Sequence, residues 1–121
     1  MANPVIHFEI PANDPGKLAD FYKALFQWNF QKWEGAMEYW MASGSKDAGG
    51  IDGGIMKRQA PQQTALNYVL VPSVDDSFKQ ATGLGAKPIM PPSDIPNVGR
   101  FAVMLDPEGN PFGLWQGGGG G

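Results

Sequence analysis

With 121 residues, 42% of them hydrophobic and 17% charged, the chain has the size and composition of one globular domain with a real core. A net charge of −3, with nine scattered Lys and Arg residues, argues against a nucleic-acid partner and against an anionic membrane surface. The sequence has no cysteine, which excludes disulfides and thiolate chemistry, and no signal peptide or apolar run of about 20 residues, so we expect a cytoplasmic protein.

The first predicted strand, Val5–Ile10, alternates strictly between its two faces, as a half-buried strand does. One face is apolar and carries Ile6, Phe8 and Ile10. The other carries Val5, His7 and Glu9, and His7 is the only histidine in the chain. The face with His7 is expected to meet a partner sheet, solvent or a ligand.

A helix is predicted after this strand. Asp14 is placed to cap it. Pro15 suits its first turn, because the backbone N–H that proline lacks has no intrahelical acceptor there. The helix is expected to run to about Phe26 on an apolar stripe formed by Leu18, Phe21, Tyr22 and Leu25.

Short strands are predicted at residues 29–33, 37–42 and 54–57, with a loop rich in Gly and Asp at 43–53. The polar segment 58–64 contains a proline and is interpreted as a linker. The order of elements then repeats, with a strand at 65–72 and a helix opened at Val74 with Asp75 as its cap. Three more strands are expected at 87–90, 100–105 and 112–116, separated by a proline-rich loop at 91–98 and a turn at 106–111.

The repeated order indicates an internal duplication. A shift of 60 residues places Asn67 at the position of His7, or Tyr68 if the register slips by one. The apolar residues of the second strand, Leu66, Tyr68 and Leu70, are then expected to face its helix. Two βαβββ modules of this kind predict an α+β fold in which a curved mixed sheet forms a cup with the helices outside.

Two stretches, VIHFEIPANDPGKLADFYKALFQW near the start and PPSDIPNVGRFAVMLDPEGNPFGLWQ at the end, carry a resemblance to a known family. They resemble the vicinal oxygen chelate superfamily, which includes glyoxalase I, bleomycin-resistance proteins and extradiol dioxygenases. The resemblance implies paired βαβββ modules, a homodimer and a cleft inside the cup. Residues 1–116 are expected to form one such domain, with module one at about 4–57, a linker at 58–64 and module two at about 65–116. The five glycines 117–121 are interpreted as a linker or added tail outside the fold.

Metal-dependent members of the superfamily hold a divalent ion with His or Glu side chains at four equivalent positions, and the ion binds neighbouring oxygens of the substrate. His7 matches the first position, but the others fall on Asn67, Gly54 and Gly113. A glycine offers no ligand and an asparagine amide is a poor one, so we expect no cofactor. The alternative is a divalent ion held weakly by His7 and Glu9, which share one strand face.

Seven residues are predicted to contact a ligand in the cup: His7, Glu9, Trp40, Asn67, Arg100, Met104 and Trp115. The two tryptophans could stack on a flat molecule, with core or dimer packing as the alternative. Arg100 shares strand parity with Ala102 and Met104. It would clamp an anion at the mouth of the cup if Phe101, Val103 and Leu105 pack on the helix, and a plain surface position is the alternative.

The sequence therefore favours a protein that binds a small organic molecule in the cup without a full metal site. Two other functions stay open. One is a lyase, isomerase or dioxygenase-like enzyme that uses a metal at His7, and the other is a dimerisation or interaction module with no ligand.

Overall fold

A computed structural model describes residues 2–35 and 37–117, which form two compact units. The first unit comprises residues 7–65, and the second combines residues 2–6 with residues 66–117. The division falls inside the first strand, β1, which runs from Val5 to Ala12. Neither helix among these residues is long and apolar enough to cross a membrane.

The first unit continues from β1 with one helix and three strands. They are α1 (Pro15–Phe26), β2 (Asn29–Lys32), β3 (Tyr39–Ser43) and β4 (Asp52–Lys57), with a 3₁₀ turn at Lys46–Ala48. The strand order is β2-β3-β4-β1. β4 is parallel to β1 and antiparallel to β3, and β2 is antiparallel to β3.

The helix α1 begins and ends as the sequence predicts. The carboxylate of Asp14 accepts a hydrogen bond from the backbone N–H of Lys17 at 3.1 Å, and Pro15 lies in the first turn. The predicted apolar stripe is only half correct, because Phe21 and Leu25 are 55% and 58% exposed. The buried side of the helix is the neighbouring row of residues, with Pro15 and Ala19 at its centre.

The core of the first unit lies between α1 and the sheet. Ile55 is fully buried there with Ala12 and Ala19, and the partly buried residues around them are Ile10, Leu18, Tyr22, Phe30 and Trp40. The ring of Phe8 contacts Trp28 at 5.2 Å between centroids, and Trp28 in turn stacks on Tyr22 of α1. Phe8 and Ile10 therefore face the helix, which confirms the predicted faces of β1.

The second unit repeats this order of elements. They are β5 (Leu66–Leu70), α2 (Val74–Gly83), β6 (Lys87–Ile95), β7 (Gly99–Leu105) and β8 (Pro111–Gly117). The strand order is β5-β8-β7-β6, with β5 parallel to β8 and the other two pairs antiparallel. The α+β class and the duplicated βαβββ order are thus confirmed. Gly117 ends β8 instead of beginning a tail, and residues 118–121 of the predicted tail lie outside the described residues.

The cap of α2 differs from the prediction. Ser73 is the capping residue, because its hydroxyl accepts a hydrogen bond from the N–H of Asp76 at 3.2 Å and its backbone is extended. Asp75 is already inside the first turn, where a carboxylate is favoured by the positive end of the helix dipole. Its side chain binds Arg100 instead of the helix backbone.

The proline-rich segment predicted as a loop at 91–98 mostly belongs to β6, which continues to Ile95. β6 is the last strand in the order of its unit, so the backbone N–H groups on one of its sides pair with no neighbouring strand. Prolines, which lack this N–H, are tolerated on that side. Register shifts between Pro88 and Met90 and between Met90 and Ser93 absorb the irregular backbone. The loop shrinks to a tight turn closed by the N–H of Val98 on the carbonyl of Ile95 at 2.9 Å.

The faces of β5 are the reverse of the prediction. Val69 and Val71 pack in the α2 core, which is centred on Val74, Ala102, Met104 and Leu114. Leu66, Tyr68 and Leu70 therefore lie on the other side of the strand. Both faces of LNYVLV carry large apolar residues and Asn67 is its one polar position, so the alternation does not show which face packs on the helix.

The true offset of the duplication is 59 residues. The ladder pair Val69 and Leu114 stands 59 residues after the pair Ile10 and Ile55, and the capping residues Ser73 and Asp14 have the same separation. Leu66 is consequently the counterpart of His7, and Tyr68 is the counterpart of Glu9. The predicted match of Asn67 to His7 was wrong by one residue.

Candidate functional site

The polar residues of the first unit gather on the side of its strands that faces away from α1. We call this side the His7 face. His7 and Glu9 lie there on β1, and their partners across the parallel ladder are Asp52 and Gly54 of β4. Tyr39 of β3 joins them because its neighbour Trp40 points into the α1 core.

The phenol of Tyr39 links His7 to Glu9. Its oxygen lies 2.7 Å from Nε2 of His7, and its hydroxyl donates to Oε2 of Glu9 at 3.1 Å. A phenol has one hydrogen, so when Tyr39 donates it to Glu9 the phenol oxygen accepts from Nε2 of His7. These three side chains form a continuous hydrogen-bonded chain, here called the His7–Tyr39–Glu9 chain.

The imidazole of His7 is held in its neutral form at neutral pH. Burial lowers its pKa from the ordinary value of 6.5, and the carboxylate of Asp52 offsets only part of this effect. A neutral ring has one N–H and one lone pair. When Nε2 is protonated towards Tyr39, Nδ1 carries the lone pair.

Gly54 makes room for this arrangement. A Cβ atom at Gly54 would overlap atoms Cε1, Cζ and Oη of Tyr39, so the ring of Tyr39 lies where a side chain at position 54 would be. The second unit uses the same device, because a Cβ atom at Gly113 would overlap the ring of Tyr68. These glycines are buried, and each is covered by a tyrosine of its own unit.

The residues present do not fit the metal site that the resemblance implies. Two of its four positions are the glycines covered by tyrosine rings, a third is Leu66 once the offset is corrected, and Nε2 of His7 contacts the phenol of Tyr39. Within residues 2–35 and 37–117, no group of three or more His, Cys, Asp or Glu side chains could hold a metal ion.

Trp40 and Met104, two of the predicted ligand contacts, lie in the helix-side cores. The indole of Trp40 lies against Gly16 of α1, where a Cβ would be 3.3 Å from its Cζ2 atom, and its N–H donates to Glu38 at 3.1 Å. Met104 has 0% exposure in the α2 core. Neither side chain is on the same strand face as the glycine and tyrosine of its unit.

Arg100 also lies on the helix side of its strand. The condition set for a role at the cup mouth fails, because Ala102 and Met104 pack on α2 while Val103 pairs with Gly113 on the other face. Its guanidinium donates to both oxygens of Asp75, at 2.8 and 2.9 Å, and to Asp94 at 3.0 Å. The hydrogen bonds from Arg100 lower the pKa of the Asp75 carboxyl.

Trp115 and Asn67 lie on opposite sides of the second unit. Trp115 shares the face of Gly113, and its indole covers Gly99, where a Cβ atom would collide with it. Asn67 is exposed and has the strand parity of Val69, on the α2 side. Contact of either residue with a ligand stays a prediction.

Sequence reasoning missed Tyr39. The pattern that would have found it is the alternation in YWMA, where Trp40 and Ala42 provide an apolar face for the helix and leave Tyr39 and Met41 on the other side. The register with β4 then brings Tyr39 opposite Met56. Met56 is two residues from Gly54 along β4, so both lie on the same face of the strand.

Comparison with known proteins gives a consistent family match. A family model described as Glyoxalase-like domain matches residues 6–115. A segment of 45 residues is 44% identical to "Putative glyoxylase CFP32" of Mycobacterium tuberculosis, and equally to the Mycobacterium bovis protein of that name. The matched segment spans 37% of this chain and only 17% of the length of those relatives.

Solved structures share the fold at low sequence identity. A hypothetical protein from Bacillus halodurans has a TM-score of 0.75 and 11% identity, and the match covers 98% of this chain and 96% of that one. A methylmalonyl-CoA epimerase variant from Streptomyces coelicolor has a TM-score of 0.72 and 12% identity over 97% and 99% of the two chains. A glyoxalase I mutant from Zea mays has a TM-score of 0.69 and 19% identity, over 98% of this chain and 44% of that one.

Proposed function

The chain belongs to the glyoxalase-like domain family, in agreement with the predicted resemblance to the vicinal oxygen chelate superfamily, and we propose that it binds a small organic molecule on its His7 face without a metal ion. The observation that carries this proposal is the His7–Tyr39–Glu9 chain. It joins an imidazole, a phenol and a carboxylate in one connected group, and its His7 stands at the first of the four metal positions that the resemblance implies.

The His7 face has the chemistry of a polar binding site for an organic molecule. Its imidazole is neutral at neutral pH, so it can exchange hydrogen bonds with a ligand without the cost of burying a cation. The rings of His7 and Tyr39 lie nearly parallel, with an interplanar angle of 16°, and aromatic faces of this kind suit a flat ligand. The thioether of Met41, on the same face and exposed, adds a soft apolar contact.

The structural neighbours support the class of ligand but not its identity. The Streptomyces coelicolor epimerase was solved with 2-nitronate-propionyl-CoA, an organic molecule. An identity of 12% carries the fold and no residue roles, so neither that compound nor that reaction is assigned to this chain.

The single histidine gives the proposal a direct test. Protein labelled with ¹³C and ¹⁵N has one set of imidazole resonances, and these can be followed while aromatic acids, 2-oxo acids and acyl thioesters are added. We expect a saturable shift of the His7 ring resonances with at least one class, and a weaker affinity in a Tyr39→Phe variant. If no compound moves those resonances, binding on the His7 face is wrong.

The metal-free part of the proposal has its own test. Protein purified without added metal is analysed for divalent ions beside a His7→Gln variant. We expect substoichiometric metal in both preparations. A stoichiometric ion that disappears in the variant would instead support an enzyme that uses a metal at His7.

A further inference from the structure

We propose that the first unit has a second ligand site, which binds a small aromatic carboxylate in a cleft beside the N-terminal half of α1. The cleft has a volume of about 410 Å³ and is called here the Arg58 cleft. Its lining combines apolar and charged residues, among them Ala12, Leu18, Phe21, Asp14, Lys17 and Arg58. His7, Tyr39 and Glu9 are not part of this lining, so the inference goes beyond the proposed function and can fail independently of it.

The guanidinium of Arg58 has hydrogen-bond partners but no counterion in the part of the chain that the structure describes. It donates to Oδ1 of Asn13 at 3.1 Å, to the carbonyl of Pro11 at 3.3 Å and to the carbonyl of Gln63, and all three acceptors are uncharged. Arg58 is only partly exposed, and a charge in such a position is stabilised by an opposite charge nearby. Three of its five N–H groups are used in this way, so two remain for an anion.

The charges around the cleft favour an anion. The lining contains two cations, Lys17 and Arg58, and one carboxylate, Asp14, so its net charge is +1. The Asp14 carboxylate accepts the N–H of Lys17 at 3.1 Å, and among residues 2–35 and 37–117 no hydrogen bond or ion pair engages the ammonium of Lys17. The ammonium of Lys57 donates to the carbonyl of Asn13, which also lines the cleft, and adds a third positive charge beside it. A chain with a net charge of −3 thus has a locally positive cleft, which complements a carboxylate.

The apolar part of the lining favours an aromatic body for this ligand. Phe21 is 55% exposed, although its ring contacts Tyr22 at 5.2 Å between centroids. A flat ring that covers Phe21 would remove apolar surface of both from water and gain an aromatic contact. Ala12 and Leu18 extend the apolar lining. The volume of the cleft lies within the range of about 300–1,000 Å³ that small-molecule sites occupy, so a carboxylate attached to a bicyclic ring has a suitable size.

The experiment titrates 2-naphthoate into the ¹⁵N-labelled protein and compares it with the uncharged 2-naphthamide. The Nε–H resonance of Arg58 and the amide resonance of Phe21 report the Arg58 cleft, and the ring resonances of His7 report the His7 face. We expect a saturable shift at Arg58 and Phe21 with 2-naphthoate. The affinity for 2-naphthamide should be about fivefold lower or less, because it lacks the charge that pairs with the guanidinium. The affinity for 2-naphthoate should fall as the salt concentration is raised.

Two variants and two matched controls locate the binding. Lys17→Gln and Phe21→Ala should each lower the affinity for 2-naphthoate about threefold, and Lys17→Arg should restore it. Lys23→Gln and Leu25→Ala remove a charge and an apolar side chain from the same helix outside the lining, so they should leave the affinity unchanged. All four positions are exposed, so each variant is expected to fold, and its amide spectrum checks this.

The outcomes separate this inference from the proposed function. Saturable shifts at Arg58 and Phe21 support the cleft whether or not His7 responds. Shifts at His7 without shifts at Arg58 and Phe21 would support the His7 face and overturn the inference, and so would the absence of any shift at Arg58 and Phe21. Equal affinities for 2-naphthoate and 2-naphthamide, or equal effects of Lys17→Gln and Lys23→Gln, would overturn it as well.

Discussion

The ring of Tyr39 lies over Gly54, in the space that any side chain at position 54 would need. The phenol oxygen of the same residue lies 2.7 Å from Nε2 of His7, so the glycine leaves room for the ring that carries this hydrogen bond. Glycine and tyrosine stand on neighbouring strands of one sheet, and Tyr68 covers Gly113 in the second unit. The two tyrosines are not equivalent, because Tyr39 lies on the antiparallel neighbour of the glycine strand and Tyr68 on its parallel neighbour.

The first prediction concerns the close contact at Gly54. Gly54→Ala should lower the free energy of unfolding by about 1–3 kcal/mol, because the added methyl group overpacks against the ring of Tyr39. The same substitution should cost much less in a Tyr39→Ala background. Urea unfolding of the four proteins in this cycle measures the coupling.

A matched control for this cycle is Gly83→Ala. Gly83 is the last residue of α2, and a Cβ atom there would contact nothing within 4 Å. Alanine is the better helix former, so this change should be neutral or slightly stabilising. Equal losses of stability at Gly54 and Gly83 would contradict the role assigned to the Tyr39 ring.

The second prediction concerns the hydroxyl of Tyr39. Tyr39→Phe keeps the ring over Gly54 but removes the link between His7 and Glu9, so the free energy of unfolding should fall by about 1–2 kcal/mol. The ¹⁵N shifts of His7 should show a changed tautomer population. Tyr22→Phe is the control, because the stacking of Tyr22 on Trp28 does not require its hydroxyl. An unchanged His7 tautomer in Tyr39→Phe would contradict the hydrogen-bonded chain.

The third prediction follows from the lowered pKa of His7. Because the folded protein holds the pKa below the ordinary 6.5, the unfolded chain binds more protons as pH falls through that value. The free energy of unfolding should therefore decrease on acidification from about pH 7 towards the folded-state pKa, with a slope of at most about 1.4 kcal/mol per pH unit for one proton. Denaturant unfolding at several pH values measures it.

The His7→Gln variant is the control for this pH dependence. It should flatten the slope in that window, because the chain contains no other histidine. A steeper loss of stability in the variant than in the wild type, or a His7 resonance that titrates above pH 6.5, would contradict the assigned direction of the pKa.

The sequence predicted the elements and the faces of β1 because local periodicity decides both. The strict alternation of residues 5–10 placed His7 and Phe8 on opposite faces of β1. Asp14 and Pro15 marked the start of α1. Local patterns could not orient β5, because both of its faces carry large apolar residues, and the predicted offset was therefore wrong by one residue. The Tyr39–Gly54 contact joins two strands, and only the register between β3 and β4 brings it about.

The fourth prediction concerns Arg100, which the sequence suggested as an anion clamp. Its guanidinium is already bound by Asp75 and Asp94, so Arg100→Gln should leave binding of an anionic ligand on the His7 face unchanged. The ion pairs are exposed, and the loss of stability should be small and should diminish further at high salt. Parallel titrations of wild type and variant with one aromatic acid, monitored at His7, check this. A loss of affinity in Arg100→Gln would restore the clamp hypothesis.

The fifth prediction concerns Arg58, which fixes the segment that the sequence presented as a linker. Its guanidinium donates to the carbonyls of Pro11 and Gln63 and to the side chain of Asn13. Its backbone N–H donates to the carbonyl of Ala12 at 2.8 Å. The linker is thereby tied to the end of β1 at Pro11 and Ala12 and to Asn13, the residue that follows the strand.

Arg58→Ala should lower the free energy of unfolding by about 2–3 kcal/mol, because partly buried carbonyls lose their donors. Arg58→Lys keeps the charge but lacks the planar fork of donors, so it should recover only a minor part of the loss. Urea unfolding gives the stabilities, and amide hydrogen exchange at residue 58 reports whether the bond to Ala12 opens locally. If Arg58→Lys were as stable as the wild type, charge alone would hold the segment, and the three-way hydrogen bonding of the guanidinium would be irrelevant to it.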